Sequence, residues 1–103
     1  DRAQKREKVK IHIGLGVKGV RSGYGTCWYV DGNTYAGQFE NNKQHGLGIK
    51  TWADGSSYDG GWQNKKQHGF GYFVSSDGSG RNGEWKDGEN VKWIGEEGDE
   101  RDD

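Results

Sequence analysis

The chain has no proline, no methionine and a single cysteine among its 103 residues. Without proline, no strand is interrupted by a missing N–H donor. One thiol, Cys27, cannot close an internal disulfide and is too few ligands for a metal site, which fits a reducing, intracellular setting. Aliphatics are scarce as well: two Leu, four Ile and six Val, with three Phe. That poverty excludes an ordinary aliphatic core, and combined with high net charge it would signal disorder. The formal net charge is only −1, however, and the isoelectric point of about 6.3 argues against a nucleic-acid partner. No apolar run approaches spanning length, so no transmembrane segment is expected, and no signal-peptide core is present.

What the chain has instead is 20 glycines and 13% aromatic residues, five of them Trp. A disordered tail rarely carries so many rings. The composition predicts one small ordered domain in which rings and bare backbone replace aliphatic packing. Charge is segregated to the ends. Residues 1–10 hold five basic and two acidic side chains, and residues 96–103 hold six acidic and one basic. Residues 1–11 therefore read as a basic N-terminal arm and 96–103 as an acidic C-terminal tail, solvated or docking. A start at Asp1 rather than Met fits a processed product or part of a longer protein.

Between these ends the chain repeats every 23 residues. Tyr35, Gly37 and Phe39 fall over Tyr58, Gly60 and Trp62. His45, Gly46 and Gly48 fall over His68, Gly69 and Gly71, and Asp54-Gly55 falls over Asp77-Gly78. Gly83 and Trp85 extend the register forward before Val91 and Lys92 break it. The units are 35–57 and 58–80, a degenerate 12–34 and a partial 81–95, and a fixed period of this length marks a stacked array.

Each unit reads as a β-hairpin. Tyr35, Gly37 and Phe39 alternate with Ala36, Gln38 and Glu40 in strand periodicity. A polar turn, "ENNKQ", leads into a second strand, "HGLGIKTW", and Asp54-Gly55 turns the chain into the next unit. If Phe39 lies opposite Gly46 and Gly37 opposite Gly48, the rings cover bare backbone across the hairpin. The other face of the second strands carries Leu47 and Ile49, then Phe70, Tyr72 and Val74. A single-layer sheet has nothing of its own to cover them, so this face is the candidate partner surface.

The pattern Tyr-x-Gly-x-aromatic, polar turn, His-Gly-x-Gly, Asp-Gly resembles the MORN (membrane occupation and recognition nexus) repeat. The resemblance covers residues 35–80 strongly and 12–34 and 81–95 weakly. His12 and Gly16 stand where the first unit should carry its ring pair, and Arg81 replaces the tyrosine of the last. It implies an all-β meander of antiparallel hairpins forming one elongated, twisted sheet. It also implies a non-catalytic scaffold or docking module serving protein partners in a larger assembly, membrane- or cytoskeleton-associated. Its alternatives are binding to anionic phospholipid and service as the regulatory segment of a larger enzyme.

Other motifs resolve less favourably. Gly14, Gly16 and Gly19 in "VKIHIGLGVKG" match a dinucleotide fingerprint, but no helix pattern follows to receive a pyrophosphate. His45 and His68 recur a unit apart and do not converge on one ion, and Asp31, Asp54 and Asp77 have no calcium-loop spacing. No nucleophile has a recognisable base, so no catalytic residue, cofactor or metal is expected. Lys43, Lys65 and Lys66 cluster at the turns as candidate contacts for anionic lipid, at about 1 kcal/mol each.

Overall fold

Residues 8–95 are described by a computed structural model; residues 1–7 of the basic arm and the whole acidic tail, 96–103, lie outside the described residues. Among the described residues eight strands follow one another: β1 (Val9–Val17), β2 (Val20–Tyr29), β3 (Thr34–Glu40), β4 (Lys43–Thr51), β5 (Ser57–Gln63), β6 (Lys66–Val74), β7 (Gly80–Lys86) and β8 (Glu89–Ile94). They form one antiparallel meander in chain order, with no helix among the described residues. The sheet measures 55 × 26 × 23 Å.

Turn chemistry explains the meander. Four hairpins close through two-residue turns whose central residues both have positive φ: Lys18-Gly19, Asn41-Asn42, Asn64-Lys65 and Asp87-Gly88. This is the type I′ geometry that matches strand twist and favours Asn, Asp and Gly. The expected five-residue turn "ENNKQ" is therefore corrected to two residues, with Lys43 and Gln44 already in β4. At the opposite edge, longer loops each turn on a glycine with φ of 95–98°, Gly32, Gly55 and Gly78. The preceding aspartate accepts hydrogen bonds from its own loop: Asp54 Oδ1 from the Ser56 amide at 2.9 Å, and Asp77 Oδ1 from the Ser79 amide at 2.9 Å.

The glycines form a row. Gly14 pairs with Gly25, Gly25 with Gly37, Gly37 with Gly48, Gly48 with Gly60, Gly60 with Gly71, and Gly71 with Gly83. A Cβ on Gly37 would collide with Gly48 Cα, and one on Gly48 with the Tyr35 ring. Here the absence of a side chain is compulsory, because the tyrosine lies flat in the space it would need.

The expected pairing of Phe39 with Gly46 across the hairpin is corrected. Phe39 pairs with Gln44 on β4 and with Gly23 on β2, while Gly46 pairs with Trp62 of the next hairpin. The cause is a bulge at His45-Gly46, where Gly46 takes φ 80° and Gln38 Oε1 accepts the Leu47 amide at 2.7 Å. The register instead pairs these rings with a glycine of the preceding hairpin, Phe39 with Gly23 and Trp62 with Gly46. Within a hairpin it is Tyr35 that lies over Gly48, and Tyr58 over Gly71.

On this face the rings make one continuous stack: His12, Phe39, Tyr35, Trp62, Tyr58, Trp85, Trp93. Successive centroids lie 4.7–5.6 Å apart and every contact is edge-to-face. Each such pair contributes about 0.5–1.5 kcal/mol beyond area burial. Tyr35, Tyr58 and Cys27 are fully buried, and Phe39, Trp62 and Trp85 nearly so. The stack is the core that the aliphatic-poor composition could not otherwise supply.

Candidate interaction surface

The two faces of the sheet divide the work. The ring face is closed by its own polar bonds. Tyr35 donates its hydroxyl to Gln38 O at 2.8 Å, Tyr58 to Gly61 O at 3.2 Å, and Trp62 Nε1 to Gly48 O at 3.1 Å. Desolvation pushes the Tyr58 phenol up to about 12 and the Tyr35 phenol up as well. These hydroxyls stay protonated and serve packing.

The outer face is open. Leu47 and Phe70 are about two-thirds exposed, and Ile49 and Tyr72 nearly half. Val74 shares their strand face and is half-buried. Strand register aligns these residues in rows: Ile49 pairs with Asp59 and Asp59 with Tyr72, while Leu47 faces Gly61. Beside them an open groove of about 510 Å³ runs between Tyr24, Thr26, Leu47 and Ile49, with Ala36 and the glycine row as its floor. Tyr24 and Trp28 extend the apolar surface onto β2 and escape the sequence reading. The period holds the signal, since Tyr24, Leu47 and Phe70 stand 23 residues apart, as do Trp28, Thr51 and Val74.

The other singled-out residues hold local roles. His45 is half-buried at the bulge, with Nε2 3.2 Å from Glu40 Oε1, and His68 occupies the equivalent bulge on β6. Asp54 and Asp77 carboxyls are held below the usual aspartate range by Ser56 and Ser75 hydroxyls respectively, and by the amides of their own loops. No cluster of three metal-ligating side chains exists among the described residues. Lys43, Lys65 and Lys66 are exposed along the type I′ edge, which also carries Glu40, Asp87 and Glu89.

A hairpin array whose rings and glycines are spent on self-packing, with apolar rows presented outward, is a repeat-built all-β module. The family model of the MORN repeat matches residues 17–34, 35–57 and 58–80, more than half of the chain. The chain belongs to the MORN-repeat family. MORN repeats are protein- and membrane-interaction repeats, a non-enzymatic module. A comparison with curated proteins finds no match. No helix among the described residues is long and apolar enough to cross a membrane.

Proposed function

We infer that this chain is a protein-interaction module without catalytic activity, a docking element of a larger assembly, and that it takes its protein partner on the outer face. One observation carries the reading. Leu47, Ile49, Phe70 and Tyr72 keep 44–66% of their surface in water on the side of the sheet that the ring stack leaves bare. Apolar area removed from water returns about 25 cal/mol per Å², so a partner seated there gains energy that folding has not used.

Peripheral binding to anionic phospholipid is the second reading, supported by exposed Lys43, Lys65 and Lys66. Glu40, Asp87 and Glu89 lie on the same edge with Lys18 and Lys86, which leaves it a small net positive charge. Recovery of partners from native extract distinguishes the two. Phe70→Asp removes the specific co-purifying chain, whereas the triple variant Lys43→Gln, Lys65→Gln, Lys66→Gln retains it. Undiminished recovery by Phe70→Asp sinks the protein-docking reading. Salt-sensitive sedimentation with phosphatidylserine vesicles, lost in the triple variant, would put the lipid reading in its place.

A further inference from the structure

The two ends of the sheet are built differently. At β8 the repeat loses one residue of the bulge, so Trp85 still pairs with an amide side chain, Asn90, but Gly83 now pairs with Trp93. That shift turns Trp93 from the outer face, where Leu47 and Phe70 stand, onto the ring face. There it meets Trp85 at 5.5 Å and receives the Arg81 guanidinium 4.4 Å above its ring. The glycine row ends on a tryptophan, and Glu89 and Lys92 charge the edge.

Past its bulge at Lys10, β1 has no such protection. From Ile11 to Val17 it holds no formal charge, although proteins ordinarily guard an edge strand with Lys or Glu, Pro or a bulge. Ile11, Ile13, Leu15 and Val17 are 48–66% exposed. Every strand from β1 to β7 contributes a glycine to the row, and on β1 it is Gly14, with no strand beyond it among the described residues.

We propose that β1 is a homodimerisation edge: a second copy of this chain adds its own β1 antiparallel to it about a two-fold axis, with Gly14 opposite Gly14 of the second copy. Three features select this register. It continues the glycine row across the axis. It pairs Ile11 with Val17 and Ile13 with Leu15 of the second copy, so that aliphatics meet aliphatics on the outer face. It sets His12 opposite Gly16, which stands where Phe39 and Trp62 stand in the next two units, so imidazole lies beside bare backbone as Trp62 pairs with Gly46. The self-complementary stretch fits between the irregularity at Lys10 and the turn at Lys18; the second irregularity of this ladder, between Gly14 and Gly16, places its extra residues on β2 and keeps the spacing of β1 regular. A shift by one residue would set aliphatics against ring-face positions. Lys10 meets Lys18 of the second copy at each end, so added salt tightens the dimer.

Sedimentation equilibrium of the intact chain tests this. The expected mass is twice the 11.5 kDa of one chain. The double variant Ile13→Lys, Leu15→Lys, both at exposed side chains, raises the dissociation constant at least about tenfold and returns the single-chain mass, while its tryptophan spectrum stays native. Phe70→Asp leaves the dimer intact. For the register, Ile13→Cys chains mixed with Leu15→Cys chains under oxidation give covalent dimers faster than either variant alone. A single-chain mass at all concentrations overturns the proposal. So do masses growing beyond two chains, which would mean head-to-tail addition of β8 to β1 and an open filament. A dimer untouched by the two lysines also overturns it, as does cross-linking in which the mixed cysteine variants show no advantage over each variant by itself. If the lysine variant fails to fold, the cross-linking comparison decides.

Discussion

His12 stands where Tyr35 and Tyr58 stand in the units that follow. Its imidazole begins the ring stack, 5.6 Å from Phe39, but its Nε2 is buried without a hydrogen-bond partner. Tyr35 reaches the carbonyl three residues on, and Tyr58 does the same. A tyrosine at position 12 would reach Leu15 O by the same step, lying over Gly25 as Tyr35 lies over Gly48. His12→Tyr removes an orphaned polar atom costing about 1–3 kcal/mol and adds a hydrogen bond of about 1 kcal/mol. Fitting the longer ring beside Arg21 costs about 1 kcal/mol in return. The net gain is about 1–3 kcal/mol, or a midpoint rise of roughly 5–15 °C in a domain of this size. Acid sharpens the comparison. Burial, and then the Arg21 charge, hold the His12 pKa below 6.5. The unfolded chain therefore binds its proton more readily, and the neutral His12 contributes stability that is present above pH 6.5 and is lost as pH falls through the folded value. The advantage of His12→Tyr over the parent grows from neutral pH toward about pH 5, followed by thermal unfolding with tryptophan fluorescence. A destabilised variant, or an advantage that does not change with pH, refutes the repeat-position reasoning.

Three further outcomes follow from the same geometry. Gly48→Ala forces a Cβ into the buried Tyr35 ring and costs about 3 kcal/mol by urea unfolding, whereas Gly55→Ala, with open space but φ 95°, costs about 1 kcal/mol. Lys65→Gly relieves a side chain held at φ 74° in a type I′ turn and stabilises by about 0.5–1 kcal/mol, read as a shift of the urea midpoint at constant slope. Above pH 10 the unfolded chain loses its tyrosine protons first. The stability that Tyr58 contributes is whole below pH 10.0 and is lost as pH rises through about 12, and Tyr58→Phe flattens that alkaline decline in a pH series of unfolding curves.

The repeat is legible because each unit spends the same residues on the same backbone conformations. Asp54-Gly55 and Asn41-Asn42 announce turns wherever they occur, and the 23-residue spacing carries them along the chain. The cross-hairpin register is not legible. Gly46 looks like a floor for a ring, whereas its positive φ makes it part of a two-residue bulge that moves Phe39 onto Gln44. Sequence spacing counts residues and does not see that two of them leave the ladder. Trp93 is hidden for the converse reason, since one residue fewer in the last bulge changes its face. Of the outer surface, Leu47, Ile49, Phe70 and Tyr72 stand out in the two regular units. Tyr24 is obscured by the worn first unit, where glycines at 14 and 16 suggest a phosphate loop.

Thermal unfolding of two variants side by side tests the division between a ring face that holds the sheet and an outer face left for partners. Trp62→Ala removes two edge-to-face contacts and the indole bond to Gly48 O, and should cost about 3–5 kcal/mol, lowering the midpoint by more than about 12 °C or unfolding the chain outright. Phe70→Asp should stay within about 0.5 kcal/mol, a shift of at most roughly 4 °C. Equal losses from both variants, or a silent Trp62→Ala, would contradict that division.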